Sequence, residues 1–280
     1  MLLFAAPDWP VGPGVPFVLL IALALDALIG DPRWLPHPIR LMGWLTGLLD
    51  RTLNRERHGA VIRVAFGAVA VLLVAGVSAA AGWLIADQAS ALGWGWLAEL
   101  ALVTMLLAQR TMADHMVRVA RALDTGADPA RAAVRHIVGR DVRALDEYGI
   151  ARAAIESGAE NYSDGVVAPA FWYLLLGLPG LLAYKAINTM DSMIGHRSPR
   201  HHSPNAGWPE AAMAGALGLA LLGPRHYEGE AAADEAGSAT AANDATADDV
   251  RRTVWVFAAA CALVAVLTAA IAAGTALSGS

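Results

Sequence analysis

AIESGAENYSDGVVAPAFWYLLLGLPGLLAYKAINTMDSMIGHR, residues 154–197, is the stretch whose reading decides the fold. It opens on a polar, acid-rich turn. Glu156 and Glu160 are four apart, so on a helix they share one face, where like charges repel. Asp164 follows, just before Gly165. Either a cation or a substrate donor offsets that repulsion, or the helix end is exposed and solvated. An apolar passage, 166–187, comes next and is broken at Gly177-Leu178-Pro179-Gly180. A second polar cluster runs from Asn188 to Arg197. One straight span would carry Asp191 and His196 to the far side, away from Glu160. Two half-length helices forming a re-entrant pair are tolerated if buried in protein, and they would return both clusters to one side. The hairpin is preferred because it gathers Glu156, Glu160, Asn161, Asp164, Asn188 and Asp191.

Composition sets the solvent. The chain has 280 residues, 56% hydrophobic and only 16% charged, against about 25% charged in soluble domains. That is a membrane composition, and no nucleic-acid partner is expected. The net charge of −5 averages an acidic stretch, Glu228 to Asp249, against two arginine-rich ones. The one cysteine, Cys261, excludes a disulfide framework within the chain and a cysteine-based zinc site. Lys185 is the only lysine among 20 basic residues, so no Gly-Lys-Ser/Thr phosphate loop exists. Beside the broken apolar run, Lys185 is expected to snorkel to the interface.

Outward from the centre, apolar runs repeat. The start, Met1 to Pro16, lacks a basic n-region and reads as uncleaved. A span follows with Asp26 in its last turn, either an interfacial residue or a functional intramembrane acid. Three prolines make Gly30 to Pro38 a rigid loop carrying Asp31, Arg33 and His37. Ile39 to Leu53 is apolar at helical spacing and suggests a surface helix. Two further spans follow, the second containing Glu99 and flanked by Trp94 and Trp96. The loops holding residues 31–60 and 109–165 are arginine-rich and the loop between the spans is not. The positive-inside rule therefore puts those segments in the cytoplasm and the N-terminus outside. Asp128-Pro129 marks a helix start. Val138-Gly139-Arg140-Asp141 is a turn, and Arg140 and Arg143 lie nearest the acidic cluster. The expected fold is all-α: a polytopic integral membrane protein, one membrane domain over 1–280, with about four to five transmembrane helices, a re-entrant helix pair and cytoplasmic amphipathic helices. Spans are expected near 15–30, 61–86, 94–108, 166–187 (broken) and 254–276. A cytoplasmic helical insert is expected at 109–165 and a flexible acidic loop at 226–250.

Carboxylates, amides and arginines at a membrane surface are the chemical inventory. Carboxylate oxygens bind Mg²⁺, which in turn holds phosphates. This suits phosphoryl transfer or ATP-driven ligation. No Gly-x-Ser-x-Gly turn supports serine hydrolysis. Asp164-Gly165 resembles the opening of the membrane CDP-alcohol phosphotransferase motif, but the match fails at Ala168-Pro169. Two classes survive: a Mg²⁺-using membrane enzyme acting on a phosphorylated substrate, and a transporter with a broken-helix site. A single break, where a transporter would carry one in each half, favours the enzyme.

Several blocks in order resemble the CbiB/CobD family, the adenosylcobinamide-phosphate synthases of cobalamin biosynthesis. They are Gly30 to Pro38, Val138 to Asp141, Glu156 to Asn161 with Ser163 to Pro169, Asn188 to Gly195, and Ser203 to Glu210. The resemblance covers roughly residues 20–225. It implies an ATP- and Mg²⁺-dependent ligase that joins aminopropanol, or its phosphate, to adenosylcobyric acid through an amide bond. The corrinoid is then the substrate. The place is the bacterial inner membrane, multi-pass with a cytoplasmic active face, and other cobalamin-pathway enzymes are possible partners. Carried over by position, Glu156, Glu160, Asp164 and Asp191 become metal and catalytic candidates. Arg140, Lys185 and Arg197 become phosphate candidates. Asp31, Arg33, His37, Asn161, Ser163, Asn188, Asn205 and Glu210 become substrate-binding candidates.

One departure stands out. In the family pattern, Asp-Ser-Met-Ile-Gly-His-Arg is followed by a longer segment with an Arg-x-Asp-Asp block and another apolar run. Here Arg197 and Ser203 are almost adjacent. The sequence leaves two outcomes open: a compact active member, or a catalytically impaired one that binds corrinoid or scaffolds the pathway.

Overall fold

The computed structural model describes residues 14–31, 37–54, 59–139, 141–194, 207–219, 225–227, 230–232 and 245–278. Among these the chain is helical apart from one short ribbon. Among the described residues three helical stretches are long and apolar enough to cross a membrane: Val61–Ser90, Glu147–Ile194 and Ala247–Leu277. The chain divides into two compact units.

The first unit holds Met1–Leu107, Val167–Gly195 and Val264–Ser280. Helix α1 (Val15–Ile29) buries Val18, Leu19, Ala22, Leu23 and Asp26, a stripe at helical spacing. That stripe packs on α4 (Trp96–Leu106). Asp26 therefore lies inside protein, 0% exposed, which removes the interfacial alternative. Helix α2 (Pro38–Leu53) starts on His37, whose Nδ1 accepts the Ile39 N–H. It turns Leu41 and Trp44 outward and Met42 and Thr46 inward. Helix α3 (Ala60–Ser90) has 31 residues, about 46 Å at 1.5 Å per residue, and leaves Val61, Val64 and Leu72 exposed.

Helix α8 (Ala168–Ile194) is two arms. Gly177 has φ 63° and ψ −154°, outside the helical region, a conformation that glycine adopts without a Cβ penalty. Pro179 follows and cannot donate to the broken ladder. Trp172 and Gly180 are eight residues apart, about 12 Å on a straight helix. Yet a Cβ on Gly180 would lie 2.6 Å from the Trp172 carbonyl oxygen and 2.5 Å from Leu176 Cβ. The chain turns back on itself here. The bend seats against Gly82 of α3, where an added Cβ would come within 2.8 Å of the Leu178 carbonyl oxygen and Pro179 Cα. The second arm runs along α3 and α2; Gly43 of α2 meets Met193 and Thr189.

The second unit holds Ala108–Val166 and His196–Leu263. Helix α5 (Gln109–Leu123) buries Gln109, Met112, Met116, Val119 and Ala120, one face at helical period. Gly126, φ 130°, turns the chain into α6 (Ala127–Val134). Helix α7 (Glu147–Tyr162) is capped by Asp146, which accepts the Gly149 N–H at 2.7 Å. It is buried on nearly every side between Ile150 and Ala159. Helix α9 (Gly207–Leu217) packs on α7. Arg225–Tyr227 (β1) pairs antiparallel with Glu230–Ala232 (β2) inside the stretch expected to be flexible. Residues 228–229 and 233–244 of that stretch lie outside the described residues. Helix α10 (Ala247–Ser278) begins seven residues before the apolar run. The cause is local: Asp249 accepts from both the N–H and the hydroxyl of Thr246, which closes the first turn.

Candidate functional site

The acidic cluster is laid out along α7 and its continuation. Glu156 is buried and Glu160 half-buried one turn later, about 6 Å along the axis. The helix can bury this stretch because small residues surround it. Gly158 faces α5 so closely that a Cβ there would meet Met116 Sδ at 2.8 Å, with Thr253 of α10 at 3.7 Å. Asn161 Nδ2 donates to the Ser157 carbonyl at 2.8 Å. Tyr162 donates its hydroxyl to the Ala260 carbonyl at 3.0 Å and stacks edge-on against Phe257, which pins the end of α7 to α10.

Ser163–Val167 then forms a π-helical turn containing Asp164. The wider turn shifts the backbone ladder, and π-bulges recur at functional sites. The Gly165 carbonyl accepts the Ala108 N–H from outside the helix at 3.1 Å. A Cβ on Gly165 would lie 3.0 Å from Ala108 Cβ, so glycine permits this close approach. The sequence placed Ser163 and Asp164 among the candidates but carried no sign of the π-turn beyond Gly165.

The other polar cluster lies in the first unit, on the second arm of α8. Asn188 and Asp191 are half-buried. Lys185 is buried, 6% exposed, a correction to the snorkelling expectation: the face of α8 that carries it packs inside the unit. Its carbonyl accepts the Thr189 hydroxyl at 2.7 Å. Glu156, Glu160 and Asp164 belong to the second unit.

His37 is held at both ring nitrogens. Nδ1 accepts from Ile39, so the proton is on Nε2, which donates to the Met105 carbonyl at 2.8 Å. Asp31 Oδ2 stands 3.9 Å from Nε2. In these contacts His37 ties the start of α2 to the end of α4. Arg143 is engaged by Asp141, with Nη2 donating at 2.6 Å, and is a solvated pair rather than a bare phosphate donor. Glu210 occupies the first turn of α9. Arg33, Arg140, Arg197 and Asn205 lie outside the described residues. Among the described residues no three His, Cys, Asp or Glu side chains are grouped to hold a metal ion.

In the core of the first unit, Tyr173 donates to Glu99 at 2.7 Å, both buried. Glu99 was visible in the sequence as an acid within a span; its partner, 74 residues away, was not.

The family described as "CobD/Cbib protein" matches residues 19–202 and 198–257. A protein called "Cobalamin biosynthesis protein CobD" from Sinorhizobium sp is 42% identical over 314 aligned positions, covering 91% of this chain and 97% of the relative. Proteins of the same name from Sinorhizobium fredii and Rhizobium meliloti are 39% and 40% identical, each with 91% of this chain and 96% of the relative covered. No solved structure matches. The first alignment has more positions than this chain has residues, so the relative carries segments absent here. The family match itself comes in two pieces that meet at 198–202, where the family pattern places the missing segment.

Proposed function

Because the chain belongs to the CobD/CbiB family of cobalamin biosynthesis proteins, we propose that it joins aminopropanol, or aminopropanol phosphate, to adenosylcobyric acid by an amide bond. The observation that carries this reading is the face of α7 and its π-turn: Glu156, Glu160, Asn161, Ser163 and Asp164, partly buried and close-packed by Gly158 and Gly165. Such a surface offers carboxylate and hydroxyl oxygens and a side-chain amide. It suits holding a cation that would bridge a phosphorylated group or the corrinoid carboxylate to this face.

Carboxylate and amine do not condense unaided in water, so a nucleoside triphosphate is part of the proposal. The donor set fits Mg²⁺ delivered with that nucleotide, an ion held through one or two protein carboxylates with phosphates and water completing its octahedron. Glu156 and Glu160 are the pair in question, and Asp164 is a further oxygen donor; Asp191 is proposed separately, as a donor within the first unit. ATP with Mg²⁺, when bound, would supply a phosphoryl or adenylyl group to carry away one oxygen of the corrinoid carboxylate. The chain's part is to orient that carboxylate, neutralise phosphate charge through Arg140, Lys185 and Arg197, and exclude water. Asp31, Arg33, His37, Asn188, Asn205 and Glu210 are proposed to line the corrinoid side.

The proposed setting is the bacterial inner membrane, with the N-terminus outside and the site facing the cytoplasm. The reversal at Gly177 supports a re-entrant α8. Its bend reaches Gly82, deep in α3, while its far end returns to the first turns of α3. Other enzymes of the pathway are candidate partners.

One observation favours a second reading. The family match breaks where the chain is short, at 198–202, and a family member that has lost catalytic groups would bind corrinoid or scaffold the pathway without turnover. Complementation separates the two. In a bacterium lacking its own synthase, the first reading predicts growth on cobyric acid and on cobinamide. Growth on cobinamide alone, with the protein present in the membrane, supports the second.

A further inference from the structure

Helix α7 has one open seam. Between Gly149 and Ala159 every position is buried except Arg152, which is half-buried. Tyr148 before this stretch and Glu160 after it also reach the surface. Tyr148, Arg152, Glu156 and Glu160 follow at four-residue steps, so they form one line along the helix. Each step is about 6 Å along the axis. Asp164, in the π-turn, continues the line. Arg152 is the one basic residue of α7, and the sequence did not single it out as a site residue.

Arg152 differs from the other arginines described in the second unit. Arg110, Arg118, Arg131, Arg143, Arg251 and Arg252 each donate to an oxygen of the chain. Arg121 and Arg135 donate to none among the described residues, but both are exposed and water solvates them. Arg152 has no hydrogen-bond or ion-pair partner among the described residues either, yet it is partly withdrawn from water. A charge taken from water costs free energy unless it is paired. Glu156, one turn on, is poorly placed to pair with it: a cation N-terminal to an anion is the weaker order at this spacing. The guanidinium is therefore open to an external anion, and its planar fork matches phosphate oxygens two at a time.

We propose that Arg152 binds phosphate on the α7 face. It grips phosphate oxygens at one end of the seam, while the carboxylates toward the other end hold the cation that accompanies them. The proposal rests on the amide-forming reading for the class of ligand, and on the seam and the unpaired guanidinium for the residue. A nucleotide and a phosphorylated amine donor present the same oxygens, so both serve as probes.

The test is equilibrium binding to the full chain in nanodiscs, with Mg²⁺ and without corrinoid. One probe is a methylene-bridged ATP analogue; the other is 1-amino-2-propanol O-phosphate. Saturable binding of at least one is expected. Arg152→Gln should weaken it at least about tenfold, the loss of one charge-assisted hydrogen bond. Arg152→Met, which keeps an apolar stem, should weaken it equally, and Arg152→Lys should restore part. Arg121→Gln, at an exposed position, is the control and should change nothing. The probe that weakens names the source of the phosphate. No saturable binding of either probe overturns the proposal. So does equal binding by wild type and Arg152→Met, the result for an arginine whose stem covers the helix while its head stays in water. A product assay keeps the two ideas apart. If wild type forms amide and Arg152→Met leaves the KM for both phosphorylated substrates unchanged, Arg152 is misassigned and the ligase reading stands. If Arg152→Met loses phosphate binding but wild type forms no amide, the ligase reading fails and the phosphate site stands.

Discussion

Single glycines decide where backbones in this protein can meet. At Gly82 an added methyl would strike the backbone at Leu178 and Pro179, and backbone cannot swing aside as a side-chain end can. Gly82→Ala should therefore destabilise the protein by roughly 1–3 kcal/mol, the usual cost of overpacking. Gly67→Ala on the same helix, with open space around it, should stabilise slightly, by about 0.4–1 kcal/mol. Thermal unfolding of both variants in one detergent checks the contrast. At the surface, the Asp141 carboxyl is held down to about 2, chiefly by the side-chain hydrogen bond from Arg143 and then by the Arg143 backbone N–H. A depressed carboxylate pKa contributes stability that is present above the ordinary carboxylate range and lost as pH falls through the folded value. The 141–143 turn should thus keep its ion pair through pH 4 and lose it only near pH 2. A ¹³C titration of the Asp141 carboxyl reads this directly, and a midpoint near 4 contradicts it.

Among the elements, those with apolar runs and those with clear start signals were legible in the sequence. The Pro38–Leu53 helix follows from its periodicity, and Pro129 falls in the first turn of α6 as its sequence suggests. The break in α8 was legible too, because glycine and proline at 177–180 leave few alternatives to a turn. The π-turn was not. It depends on Gly165 meeting Ala108, 57 positions away in the chain, and no local pattern encodes that. The early start of α10 does have a local cause, the Thr246 N–H and hydroxyl donating to Asp249, but an acidic, small-residue stretch hides it. A re-entrant α8 predicts that a thiol at its far end is reached from the cytoplasm. With Cys261 replaced by alanine, Ser192→Cys, an exposed position, should react with an impermeant maleimide in inverted vesicles and not in right-side-out spheroplasts. The opposite pattern would make α8 a crossing helix.

For the whole molecule, composition already pointed to a lipid setting, and the long exposed apolar faces of α3 and α10 are of the length and character that suit one. Val61 is 83% exposed and Trp255 76%, positions that favour contact with acyl chains over contact with water. What the sequence could not supply was the grouping of distant residues. Thr46, Arg63 and Asp191 line one pocket because α8 turns back beside α2 and α3. Glu156 and Glu160, by contrast, were legible as a pair, since four-residue spacing alone places them on one face. The relatives that match this chain over nearly their full length carry more residues than it does, and the family match breaks at 198–202.

The most direct test of the account is a turnover assay on the purified full chain in nanodiscs, supplied with adenosylcobyric acid, ATP, Mg²⁺ and either amine donor, with the product followed by mass. The account predicts adenosylcobinamide or its phosphate, formed only with nucleotide present, and near-complete loss of product in Glu160→Gln while the variant remains folded. Product formation by Glu160→Gln within a few-fold of wild type would contradict the placement of the site on α7. No product from the wild-type chain, with corrinoid still bound, would contradict catalysis itself.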